Sequence, residues 1–131
     1  MIRLHAVIAT ALLSFGVFLA GAALAASPPV AFDQAAFDAA RAQGKTIVVE
    51  TYADWCLPCR IQAPILNDLR GRAPYDNVVV MRIGERTHER VWRQFRLIGY
   101  GNLVVFKGRA EVARGTPTTR AAVAALLRQG L

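Results

Sequence analysis

Apolar and polar positions along this chain fall into runs that change period at clear breakpoints. In "FDQAAFDAARAQG", Phe32, Ala36, Phe37 and Ala40 recur at helical spacing and Gly44 supplies a stop, which predicts an amphipathic helix over 33–43. "KTIVVET" is a β-branched run and predicts a buried strand from Thr46 to Thr51. A loop from Tyr52 to Trp55 then leads into a second helix reaching about Arg72, with Pro64 inside it as a kink. "NVVVMRI" predicts another buried strand over 77–83, followed by a short arginine-rich helix over 87–96 that ends near Gly99. "NLVVFKGRAEVARG" reads as a hairpin, with strands 102–106 and 110–114 joined by a turn at Lys107-Gly108. Thr116 then caps a last helix with Pro117 at its first position, running through Ala121, Leu126 and Leu127 to Gly130.

A strand–helix–strand crossover makes the first two strands parallel neighbours, and the hairpin supplies an antiparallel pair. The expected fold is α/β, a mixed four-stranded sheet with helices on both faces. No internal repeat or low-complexity segment interrupts it, and "ASPPV" is the one linker-like stretch.

What precedes that linker changes the picture. Arg3 is the only firm charge before a run from Ala6 to Ala26 with no charged side chain, and Ala23 and Ala25 fit the small-x-small cleavage rule. Residues 1–25 read as a signal peptide and 26–131 as one exported domain; an uncleaved N-terminal membrane anchor is the alternative, since the run is about bilayer length. Either way the domain lies outside the cytoplasmic membrane, in the periplasm. The full chain carries 16 Lys+Arg against 9 Asp+Glu, a net charge of +7. A basic surface raises the question of nucleic acid. The arginines are scattered without aromatic interleaving, and export removes the usual partners, so none is expected. Arg86, Arg90, Arg93 and Arg96 form the densest group, a solvated helix face or a docking patch for an acidic partner.

Both cysteines lie in "YADWCLPCR", Cys56 and Cys59. As a structural staple they would constrain almost nothing, because the stabilisation falls with the length of the closed loop. A closed zinc site needs four ligands, and after the signal only His88 is available besides the thiols. Redox chemistry fits better. A first cysteine at a helix start has its sulfur beside unpaired N–H groups that stabilise a thiolate, which makes Cys56 the nucleophile. Cys59, one turn on, can attack the resulting mixed disulfide and release the reduced substrate. Pro58 suits a first-turn position, and Trp55 offers a flat apolar surface to a substrate chain.

From about Phe32 to Leu131 the chain resembles the thioredoxin-like superfamily. "VVETYADWCLPCR" resembles the active-site strand and loop, Pro64 the helix-kinking proline, and "LVVFKGRAEVARG" the hairpin. "YADWC" is also similar to the C-terminal periplasmic domain of the membrane reductant conductor DsbD, and Cys-x-Pro-Cys to exported thioredoxins of the cytochrome c maturation type; both comparisons imply reduction of disulfides. By position, Glu50 resembles the buried acid that accepts a proton for the second cysteine, and a carboxyl at the end of a buried strand should have a raised pKa. Leu57 replaces a common glycine and makes the rim more hydrophobic. Gly101, preceded by Tyr100, stands where the family places a cis-proline that shapes the substrate groove. The family's buried lysine near the acid finds no equivalent in the apolar "VVVMRI".

These readings converge on a monomeric, exported thiol:disulfide oxidoreductase that needs no bound cofactor, with Cys56, Cys59 and Glu50 as its chemistry and Trp55, Leu57, Pro58, Tyr100 and Gly101 as its substrate surface. Its expected partners are exported proteins with cysteines or disulfides and a membrane-bound electron donor, a role in redox homeostasis. The alternative is a soft-metal carrier in which Cys56, Cys59 and His88 hold Cu(I), since the resemblance implies that the missing proline normally blocks metal access. A binding module without turnover is a third option, disfavoured by the presence of both thiols. If the loop at Gly101 otherwise serves as the groove, Gly101→Pro should be tolerated.

Overall fold

The computed structural model describes residues 28–131. The signal segment 1–25, with its boundary at Ala25, lies outside the described residues. Elements follow in the order β1 (Val30–Ala31), α1 (Gln34–Ala42), β2 (Thr46–Thr51), α2 (Leu57–Arg70), β3 (Val79–Ile83), α3 (Glu89–Gln94), β4 (Leu103–Lys107), β5 (Ala110–Gly115) and α4 (Arg120–Arg128). The sheet has the order β1-β3-β2-β4-β5, so it has five strands rather than the four expected. The extra one is β1, which pairs parallel with β3 through Val30↔Met81 and Ala31↔Arg82. It falls at the end of the stretch expected to be a linker. Two residues give no periodicity, and their strand character comes from the neighbour they pair with.

β2 lies between parallel β3 and antiparallel β4, which is why all six of its residues are buried. Alternation along it divides the core. Val48 packs with Leu66 and Leu69 of α2, Val80, Leu103, Val105, and Val123 and Leu127 of α4. Ile47 and Val49 face the other way, toward Phe37, Met81, Ile83, Phe95, Val104 and Phe106. Helices therefore cover both faces, as expected.

Capping explains most of the boundaries. The Asp33 carboxylate accepts from the Ala36 N–H at 2.7 Å to open α1, and Gly44 ends it with φ +69°. α2 runs unbroken through Pro64, whose ring removes one intrahelical donor. The last helix starts later than expected: Thr119, not Thr116, is its cap and accepts from the Ala122 N–H at 3.2 Å. β5 extends to Gly115, so Thr116 and Pro117 fall in the connection instead of the first turn. Among the described residues no helix is long and apolar enough to cross a membrane.

Candidate active site

β2 ends at Thr51 in the middle of the sheet, and the chain leaves it through Tyr52–Trp55 to reach the start of α2. Cys56 is the N-cap of that helix, and its Sγ accepts from the Cys59 N–H at 3.3 Å. Leu57 and Pro58 fill the first two helical positions, where the missing proline N–H costs nothing. Cys56 and Cys59 form a disulfide with their Cα atoms 5.3 Å apart. Cys56 is 5% exposed and Cys59 1%, so the first cysteine is the more accessible of the two. The Cys59 sulfur lies 3.4 Å from the Thr51 carbonyl oxygen, which a reduced Cys59 thiol can use as an acceptor.

An apolar rim surrounds the pair. Trp55 is 66% exposed, Leu57, Ile61 and Ile98 are exposed, and Tyr100 is half-buried. Tyr100 lies edge-on between Trp55 and Trp92, with ring centroids 5.0 and 5.1 Å away. The Trp55 indole N–H donates to Glu85 at 2.7 Å, which fixes the ring's direction. Desolvation, and then the Glu85 charge, raise the Tyr100 hydroxyl above its ordinary range.

Gly101 reaches the cysteines as expected, but by a different backbone route. Its φ is +84°, its N–H donates to the Thr51 carbonyl at 3.1 Å, and a Cβ placed on it would lie 3.2 Å from Pro58 Cβ and 4.0 Å from Cys56 Sγ. The expectation that Gly101→Pro is tolerated is therefore turned round. A proline cannot take a positive φ or donate that hydrogen bond. The Cu(I) alternative calls for His88 beside the two sulfurs. His88 caps α3 instead, its Nδ1 accepting from the Arg90 N–H at 3.1 Å. Among the described residues no group of three or more His, Cys, Asp or Glu side chains converges on a metal position. The Cu(I) alternative has no support in this geometry.

Glu50 is buried on the sheet face that α2 covers, at 2% exposure, and burial pushes its carboxyl above the ordinary range near 4.5. Its partner is a residue that the sequence reading passed over. Arg82 stands directly across from it on β3, donates from Nε to Glu50 Oε1 at 2.8 Å, and lays its guanidinium 3.9 Å over the Tyr52 ring. A cation beside the acid, expected to be missing, is supplied by this half-buried arginine. Strand alternation could have found it, because Arg82 shares a face with Val80 just as Glu50 does with Val48. Arg70, buried on α2, also faces the acid; burial lowers its pKa and the Glu50 charge opposes that.

Gln62 was missed as well. It is buried in the inward stripe of α2 with Cys59, Leu66 and Leu69, a spacing that the helical period alone predicts. A groove of about 970 Å³ lies apart from the cysteines, lined by Asp33, Asp54, Arg82, Glu85, Arg86 and His88 among others. Of the arginine group, Arg93 pairs with Glu89 on its own helix and Arg96 with Glu111 at 3.5 Å.

A sheet with a cysteine pair opening the helix after its central strand is the thioredoxin arrangement. The Thioredoxin family model matches residues 28–129, and the chain belongs to that family. Thioredoxin-1 of Saccharomyces cerevisiae is 31% identical over 87 residues, covering 66% of this chain and 82% of that protein. Thioredoxin of Alicyclobacillus acidocaldarius is 33% identical over 64 residues, 49% of this chain and 60% of that protein. Like the Alicyclobacillus protein, several such relatives are matched over less than two thirds of their length. Among solved structures, Trxlp from Edwardsiella tarda superposes with a TM-score of 0.70 at 28% identity, covering 74% of this chain and 95% of that one.

Proposed function

We propose that the protein is an exported thiol:disulfide oxidoreductase that reduces disulfides of other exported proteins and is itself re-reduced by a membrane-bound dithiol donor. The observation that carries the chemistry is the position of Cys56 as N-cap of α2 with Cys59 one turn behind it. In the reduced protein the Cys56 thiolate attacks a substrate disulfide, forming a mixed disulfide and releasing one substrate thiolate. The Cys59 thiolate then attacks the Cys56 sulfur, closing the intramolecular bond and releasing the second. Two electrons pass from the dithiol to the substrate, which leaves the oxidised form described above. Glu50 accepts the Cys59 proton in the second step; its raised pKa makes that uptake easier than for an exposed carboxylate. Trp55, Leu57, Tyr100 and Gly101 receive the substrate chain. The export signal read in residues 1–25 supports the compartment.

The test is a pair of cysteine variants. Cys59→Ser should trap mixed disulfides, because Cys56 still attacks and nothing resolves the adduct, while Cys56→Ser should trap none. Equal trapping by both would overturn the assignment of roles. A reduction potential near about −270 mV supports a reductase, and one near about −120 mV would make the protein an oxidant instead.

A further inference from the structure

The loop Ile98–Asn102 closes the site opposite the cysteines without a proline to stiffen it. Two of its residues have positive φ, Gly99 at +72° and Gly101 at +84°, and glycine gives up more freedom on ordering than any other residue. Part of its order comes from the end of β2: Gly101 N–H donates to the Thr51 carbonyl and Asn102 N–H to Thr51 Oγ1 at 2.8 Å. The Asn102 side chain donates back to the Ile98 and Gly99 carbonyls at 3.3 and 3.0 Å. From the helix side, Gln62 Nε2 donates to the Gly101 carbonyl at 2.8 Å in a buried contact. Both polar groups of the Gly101 backbone are thus held, one by the central strand and one by the active-site helix.

An inward-facing glutamine between Cys59 and Leu66 is an unusual choice, since an apolar residue would fill that stripe without a buried amide to satisfy. We propose that Gln62 is a positioning residue that locks the glycine loop against Cys56 and Pro58, so that a protein substrate meets a surface already ordered. This rests on the oxidoreductase reading above and deepens it. The lock acts before chemistry, by removing the ordering cost that a mobile loop would add to binding. A substrate too small to lie along the loop gains little from it. The effect should therefore appear in KM for a protein disulfide more than in kcat.

The experiment compares insulin with hydroxyethyl disulfide, both reduced by the protein with dithiothreitol as electron source. Gln62→Leu should raise KM for insulin about two- to tenfold, the range set by losing one hydrogen bond. The ratio of kcat/KM for insulin to that for the small disulfide should fall by the same factor. Amide exchange at Gly101 and Asn102 should quicken in this variant. Gln62→Glu provides a readout that packing alone would not move. Its carboxylate repels the Gly101 carbonyl at about pH 8, whereas the protonated acid can donate to it at about pH 5, burial having raised its pKa. The ratio for Gln62→Glu should recover toward the parent's as pH falls, and that for Gln62→Leu should not.

Parent-like insulin KM in Gln62→Leu, or no pH-dependent recovery in Gln62→Glu, would overturn the role of Gln62 while the parent's own turnover leaves the oxidoreductase reading standing. A parent that reduces neither disulfide would overturn that reading and this inference with it.

Discussion

The face of the sheet beneath α1 and α3 is packed by Phe37, Phe95 and Phe106, rings meeting edge to face at centroid distances of 5.1 to 5.9 Å. The face beneath α2 and α4 has an apolar centre too, but it also buries Glu50, Gln62 and Arg70, with Arg82 reaching in from its strand. The same central strand supplies both, Ile47 and Val49 to one and Val48 and Glu50 to the other. Aromatic edge-to-face contacts add to the burial of large rings and carry no desolvation cost. A buried acid does carry one, and the raised carboxyl pKa of Glu50 is its sign. The contrast teaches that one face holds the fold and the other gives up some stability to keep titratable and hydrogen-bonding groups near a thiol pair.

The largest test of that division is on the aromatic face. Phe37 is 1% exposed and contacts three other rings, so Phe37→Ala should cost about 3–5 kcal/mol. In thermal unfolding of a domain this size that is a fall in Tm on the order of 10–20 °C. The rate at which the surviving folded protein exchanges thiols should stay at the parent's. A matching fall in that rate would break the division, since it would show the cysteines depending on the opposite face.

A smaller effect, on the polar face, is expected from Glu50→Gln. Because the Glu50 carboxyl titrates above its ordinary range in the folded state, the native protein holds that proton to higher pH than the unfolded chain does. Its contribution is fully present below the ordinary value near 4.5 and is lost as pH rises through the folded value. Urea unfolding of the parent should therefore lose stability across that window, by about 1.4 kcal/mol for every pH unit that the window spans. Glu50→Gln should lose that part of the slope. Identical slopes in the two proteins would show that the Arg82 pair cancels burial completely.

How much of this was legible in the sequence follows from how local each signal is. The first helix, the buried β2 run and the hairpin were readable because their period and their breakers lie within a few residues of one another. The cysteine pair was readable for the same reason: its chemistry needs only a strand before it and a helix start beneath it. β1 was not, because Val30 and Ala31 become a strand only by pairing with Met81 and Arg82. The two cap candidates Thr116 and Thr119 were separated by how far β5 continues, a tertiary fact. Arg82 was hidden by register, since its partner Glu50 lies 32 residues away in sequence. Gln62 had a legible place in the α2 stripe, but the carbonyl it bonds belongs to a loop 39 residues on.

The smallest effect is expected where the two chemistries meet, at Arg82 and Tyr52. On the aromatic face a ring packs against other rings; here a ring carries a guanidinium 3.9 Å above it, while the same arginine bonds Glu50 from Nε. Arg82→Lys keeps the positive charge, so Glu50 keeps a counter-charge, but it loses the planar group that stacks on Tyr52. The Arg82 side chain is about one-third exposed, so the loss should be at the low end for a cation over a ring, about 0.5–1 kcal/mol. A double-mutant cycle with Tyr52→Leu isolates it: Arg82→Lys should cost that amount with Tyr52 present and close to nothing once the ring is gone. An equal cost in both backgrounds would assign the loss to the Glu50 contact instead. The fixed fork of the arginine would then be what opposes the effect of burial on the acid beneath the active-site helix, and the polar face would depend on that one geometry more than on any ring.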